Sequence, residues 1–323
     1  MPGIGNDHHY PAWACFKLPF HNTQTGVSLC AIYSGDLMLR STRRTVNIVA
    51  QFSLGVTERT TSFLRLRPTE PSAMNDRLSV VDATGTELLL VSTIDSFNGV
   101  VQWHDRVVLS AGRSTISYAA RIDVPEVPDQ RPLHLAAPCS QLMTPDHWRW
   151  IQPTRYCRPD ELGNEAWQLF GRDVSLDRPA TGTVVQQICD FVCAQMTFEY
   201  GSSGPMTTAT DAWSQKRGVC RDFTHIAMSF CRALNIPTRY VFGYIPDIVV
   251  PRNGSPQDFC AWFEVLLGDR WWAFDARVNE RRIGRIVVAR GRDAADVPMI
   301  STLGAAEITD FAVDVTVVPR TAG

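Results

Sequence analysis

The sequence has no CxxC pair, no glycine-rich phosphate loop between a strand and a helix, and no apolar run near the roughly 18 residues of a membrane span. Beyond residue 160 it has a single histidine, His225. Each absence narrows the chemistry. Without a phosphate-cradling loop no organic cofactor is expected. Without a long apolar stretch no membrane partner is expected. The nine cysteines are odd in number and scattered, which argues for free thiols in a reducing compartment rather than a disulfide framework. The formal charge is −2, and Lys and Arg are spread along the chain, so no footprint for nucleic acid or an anionic surface appears. Met1–Tyr10 lacks the basic-then-apolar layout of a signal peptide, and the expected location is cytoplasmic. Nothing in the pattern indicates an oligomeric state.

What is present divides into a β-rich part and a mixed part. With 323 residues and 45% apolar content, the chain can bury a core, and its length suits two domains. From about Thr45 to Val124 short alternating runs predict antiparallel strands, as with Ile116, Tyr118, Ala120, Ile122 and Val124. Asp82–Gly85 and Asn98-Gly99 carry the residues of hairpin turns. Prolines at 125, 128, 132, 138, 145, 153 and 159 mark a connector, which places the expected domains at 1–158 and 159–323. Val184, Ile188, Phe191, Val192 and Gln195 predict a helix from about Gly182 to Met196.

A second helix is predicted to begin at Cys220 and run to Leu234, burying Phe223, Ile226, Ala227, Phe230 and Leu234. Asn235 suits its left-handed terminus. A thiol at a helix start meets unpaired amide N–H groups and the positive end of the dipole, and is expected to ionise at neutral pH. Strands are expected over 239–244, 259–266 and 270–276. A two-residue hairpin at Gly268-Asp269 sets Leu267 opposite Arg270, Trp262 opposite Asp275 and Cys260 opposite Arg277. Cys260 and Asp275 then share a face, where a carboxylate could orient the group at 260.

Gly218-Val219-Cys220-Arg221-Asp222-Phe223, Arg239–Tyr244, Ala261-Trp262-Phe263-Glu264 and Phe274-Asp275 together resemble the transglutaminase-like cysteine enzymes. Gln152–Cys157 resembles the join between the β-rich N-terminal domain and the catalytic domain of the bacterial members. The resemblance implies an α+β chain with a papain-like catalytic core, in which a helix-borne cysteine is activated by a strand-borne histidine held by an aspartate. Cys220 and Asp275 carry over. The histidine position is Cys260, so the ordinary triad is broken, because no imidazole stands there to take the thiol proton. His225 lies about 140° around the helix from Cys220, which favours bonds to neighbouring loops.

Three chemistries follow for a site of Cys220, Cys260 and Asp275. Cys220 attacks an amide, ester or thioester carbonyl of a peptide, protein or small acyl substrate, for hydrolysis or acyl transfer. Alternatively the two thiols act as base and acid on a carbon acid, which is isomerase logic. A third option is a non-catalytic module or a zinc site, although spacings of 40 and 15 residues are no zinc signature. Trp262 and Trp213 are expected to wall the pocket or pack the core. Arg281–Arg285 reads as a solvated turn, and Asp275 has Arg277 and Arg281 as sequence-near partners.

Overall fold

Six antiparallel strands open the folded region, because alternating apolar residues from Arg43 onward need a sheet to share one buried face. They are β1 (Arg43–Val56), β2 (Thr60–Leu64), β3 (Ala73–Val81), β4 (Leu90–Phe97), β5 (Val100–Leu109) and β6 (Gly112–Pro125). The computed structural model describes residues 42–69, 73–97, 100–175, 177–248 and 257–319. Along β1, Val46, Ile48, Ala50, Phe52 and Leu54 all point inward, and β6 answers with Ile116, Tyr118, Ala120 and Ile122. The expected turn at Asp82–Gly85 forms. The Asp82 carboxylate accepts the amides of Thr84 and Thr86, and Gly85 supplies φ +85°. Asn98-Gly99 lies outside the described residues.

A proline-rich passage then leads through α1 (Pro145–Trp148) into α2 (Pro159–Phe170), α3 (Gly182–Gln195), β7 (Thr197–Phe198), α4 (Ala209–Gln215), β8 (Arg217–Gly218) and α5 (Cys220–Ala233). After α5 come β9 (Thr238–Tyr244), β10 (Cys260–Leu267), β11 (Arg270–Phe274), β12 (Ile286–Gly291), β13 (Ile300–Thr302) and β14 (Ala306–Val317). The α+β class expected from the sequence is the class observed. Both predicted helices and all three strands downstream of Cys220 stand within two residues of their expected ends. Asn235, just past α5, takes the left-handed conformation at φ 60°.

Three four-stranded antiparallel sheets result, in the orders β14-β1-β6-β3, β13-β2-β5-β4 and β11-β10-β9-β12. The last two strands return to the N-terminal sheets, β14 beside β1 and β13 beside β2. Two consecutive blocks divided at 158 would not include this return. A buried Tyr244 adds to the join, its ring 6.5 Å from that of Tyr118 and its hydroxyl donating 2.9 Å to the carbonyl of Leu66.

The sheet β11-β10-β9-β12 positions the thiols. Its register matches the hairpin expectation, with Leu267 opposite Arg270 and Phe263 opposite Phe274. One face, carrying Ala261, Phe263 and Val265, joins the core that includes Phe223, Ile226, Ala227 and Phe230 of α5. The other face carries Cys260 and Trp262 against Val241 and Val287. Gly243 lies opposite Cys260 and Val287 at the centre of this sheet. A Cβ there would stand 2.1 Å from the carbonyl oxygen of Ile286 and 2.9 Å from the Trp262 ring. Because both neighbours are fixed by the sheet, Gly243→Ala is expected to cost about 1–3 kcal/mol of stability by overpacking. Denaturant unfolding checks this, and an unchanged midpoint would refute it.

Candidate active site

Cys220 sits at the first position of α5, and the sequence around it explains why the helix starts there. The Asp222 carboxylate is fully buried and accepts the amide of Val219 at 2.8 Å, while the Asp222 amide bonds back to the Val219 carbonyl. This cap needs a glycine at 218, since a Cβ would come within 2.7 Å of the Asp222 Cβ. The amides of Cys220 and Arg221 are at the first two positions of the helix, where no intrahelical acceptor exists. Upstream, β7 and β8 pair in parallel with Phe198 beside Gly218, and the Glu199 amide bonds to the Gly218 carbonyl at 3.0 Å. Phe198 and Tyr200, whose rings meet edge-to-face at 4.9 Å, therefore flank the thiol loop.

Both sulfurs are half-buried, and their hydrogen bonds go to main-chain carbonyls. Cys220 Sγ lies 3.9 Å from the oxygen of Phe259, and Cys260 Sγ lies 3.7 Å from that of Asp258. Both are free thiols. The expected thiolate at neutral pH is not what this setting produces. Burial pushes the Cys220 thiol up to about 11, with the Arg277 guanidinium and the Ala261 amide opposing and the Asp258 and Asp275 carboxylates adding to the rise. Desolvation of the charged sulfur is the largest cause acting on it. Cys260 is pushed to about 12, first by burial and then by the neighbouring Cys220, so ionising one thiol hinders the other.

Asp275 is brought to the site, but its hydrogen bonds go to its own turn and to Arg285 rather than to the sulfurs. One of its oxygens accepts the amides of Arg277 and Val278 at 3.0 and 3.1 Å, and the other meets the Arg285 guanidinium at 3.2 Å. Arg285 in turn holds Asp129 at 2.7 Å. Asp275 thus builds the turn after β11, and its ionic partner is Arg285 rather than Arg277 or Arg281. The run Arg281–Arg285 is correspondingly less solvated than expected, for the side chains of Arg282 and Arg285 are largely buried on Asp247 and on the Asp129–Asp275 pair. No three His, Cys, Asp or Glu side chains gather as a metal ligand set among the described residues.

The other predicted residues separate. Trp262 is buried at 1% exposure, packs in the cluster that Cys260 joins, and has Arg285 5.0 Å from its ring. Trp213 does not reach the thiols. Its indole donates to Glu165 at 2.9 Å and packs on Phe191 and on Phe230, ten residues along α5 from Cys220. His225 lies between Tyr156 and Tyr240, its Nε2 accepting the Ala294 amide at 3.2 Å, in keeping with a helix histidine serving neighbouring loops. Burial holds its imidazole well below the ordinary value, with Arg221 and Arg232 adding to the effect.

Sequence reasoning missed Arg277 as a site residue. The turn on Asp275 delivers its guanidinium to 4.0 Å above the Phe198 ring, where its charge acts on both thiols. Tyr200 and Asp258 belong to the same group, since Asp258, Arg277, Cys220 and Cys260 all act on the Tyr200 hydroxyl. The available signal was the position of Arg277 two residues beyond the aspartate. A separate cavity of about 650 Å³ opens at the other end of α5, beside Leu234 and Asn235, and contains neither thiol.

Residues 170–276 match the family model of the transglutaminase-like superfamily. A solved structure of a candidate cysteine protease from Cytophaga hutchinsonii is 27% identical and superposes with a TM-score of 0.71, covering 88% of this chain and 93% of that one. The uncharacterized protein ML0607 of Mycobacterium leprae is 37% identical over 102 residues, 30% of this chain and 36% of that protein. The uncharacterized protein Rv2569c of Mycobacterium tuberculosis is 27% identical over 145 residues, 41% of this chain and 46% of that protein. The chain thus spans less than half the length of these two curated relatives.

A thiol pushed to about 11 is ionised to about one part in ten thousand at pH 7. Alkylation of Cys220 by iodoacetamide is therefore expected to speed up about tenfold per pH unit from pH 7 to about 10. Peptide mapping over that range measures it, and a rate that levels off below pH 8 would contradict the assignment.

Proposed function

We propose, for a chain whose residues 170–276 form a transglutaminase-like domain, a cysteine-dependent acyl hydrolase or acyltransferase working through Cys220. The single observation that carries this reading is a half-buried free thiol at the first turn of a buried helix, beside two amides with no intrahelical acceptor. The likeness to a candidate cysteine protease supports it. In the proposed reaction the Cys220 sulfur, once deprotonated, bonds to the acyl carbon and the carbonyl π electrons move to oxygen. The Cys220 and Arg221 amides face that oxyanion. Collapse expels the leaving group and gives a thioester, which water or an amine then resolves.

The missing imidazole sets the substrate preference. An amine leaving group must be protonated as it departs, whereas a thiolate or an activated alkoxide need not be. The neighbouring Cys260, a thiol up to about 12, is a poor proton relay at neutral pH. The site therefore suits thioesters and activated esters better than amides.

The adjacency of the two thiols also favours a second reading, in which Cys220 and Cys260 exchange protons with opposite faces of a carbon acid. With the thiols raised to about 11 and about 12, such a swap would run only at alkaline pH or with a substrate that lowers them. Under that reading solvent deuterium enters a substrate stereocentre and replacing either cysteine stops turnover.

Restoring an imidazole tests the leading reading. Cys260→His is expected to raise amide hydrolysis by about 10²–10⁴-fold while changing activated thioester turnover far less, as measured by kcat/KM on matched substrates. Equal changes on both substrates, or none on the amide, would count against it.

A further inference from the structure

The guanidinium of Arg277 has no role in the acyl reaction as proposed above. Its main chain is used, the amide by Asp275 and the carbonyl by the Cys193 thiol at 3.6 Å. Its side chain is not. Among the described residues, no carboxylate pairs with the Arg277 guanidinium and no acceptor takes its N–H groups. The nearest carboxylate in sequence, Asp275, is occupied by Arg285. The guanidinium carbon stands 4.0 Å from the centre of the Phe198 ring, and a guanidinium in that position can offer N–H groups to a planar anion held by two parallel hydrogen bonds. The Asp258 carboxylate is near enough to interact with this cation, but it makes no hydrogen bond or ion pair with it among the described residues.

We infer that the site takes a substrate whose reacting carbon lies next to a carboxylate, with Arg277 as the counter-ion that orients it against Cys220. This rests on Cys220 being the reacting thiol proposed above, and adds the substrate class. Phe198, paired beside Gly218, fixes the cation at the level of the helix start, so the bound carboxylate and the sulfur approach the same small molecule. The exposed Asp258 carboxylate opposes Arg277 at both Cys220 and Tyr200 and limits the preference.

Two alkylating agents that differ only in charge provide the test. Iodoacetate and iodoacetamide both form an S–CH2 bond to the thiolate and release iodide. A change in thiol ionisation alters both rates alike, and the ratio of rates isolates anion recognition. In the full-length protein, with Cys220 labelling followed by peptide mass spectrometry, the iodoacetate-to-iodoacetamide ratio is expected to exceed that of N-acetylcysteine in the same buffer. It should fall about tenfold in Arg277→Gln, the scale of one unit charge a few ångströms from a shielded site. Arg277→Lys, which keeps the charge, should retain most of the ratio, and Asp258→Asn, a change at an exposed position, should raise it. A ratio equal to that of N-acetylcysteine, or unaltered in both Arg277→Gln and Asp258→Asn, overturns the inference while iodoacetamide labelling leaves the nucleophile in place. Failure of both reagents at Cys220 removes the nucleophile and the inference together.

Discussion

The Asp275 carboxylate is the constraint on which the site depends. Its two oxygens accept two amides of its own turn and one buried guanidinium, and the same guanidinium reaches back to Asp129 in the segment that precedes the helices. A carboxylate buried at 2% exposure is costly unless its oxygens find such partners. Meeting that requirement bends the chain after β11 so that residue 277 turns toward the thiols. Asp275 therefore acts on Cys220 mainly through geometry, by deciding where the Arg277 cation stands.

From this follows the electrostatic character of the site. Desolvation pushes both sulfurs toward the thiol form, Arg277 and the Ala261 amide pull the other way for Cys220, and Cys220 adds to the rise at Cys260. An imidazole at position 260 would change the balance by supplying a base that titrates near neutrality. In the proposed reaction, with cysteine there, reactivity would come from the substrate: a leaving group that departs without a proton, or an anion that settles on Arg277 and orders the encounter. The small packed cluster of Val241, Trp262 and Val287 holds Cys260 in place from the other face of the sheet, and Arg285 links that cluster to the Asp275 turn.

Much of this was legible in the sequence where the governing interactions are local. The start of α5 follows from Gly218, Cys220 and Asp222 within five residues, and the β10–β11 register follows from Gly268-Asp269 alone. The parts that were not legible depend on groups distant in sequence. Arg285 meets Asp129 across 156 residues, which turned an apparently solvated basic run into a buried support. The pairing of β14 with β1 joins opposite ends of the described chain. The ionisation of Cys220 was misjudged because helix position can be read from spacing, whereas burial beneath the β10 main chain cannot. Trp213 carried an aromatic signal that suits a pocket wall and a core position equally, and packing on Phe230 decided between them.

Direct trapping tests whether Cys220 is acylated. The intact protein is incubated with an activated carboxylate-bearing thioester, quenched in acid and mapped by mass spectrometry. An acyl mass is expected on the peptide that begins the α5 helix, removed by hydroxylamine and absent in Cys220→Ser. An acyl group found on Cys260 instead, or no adduct on either thiol while the substrate is consumed, would contradict it.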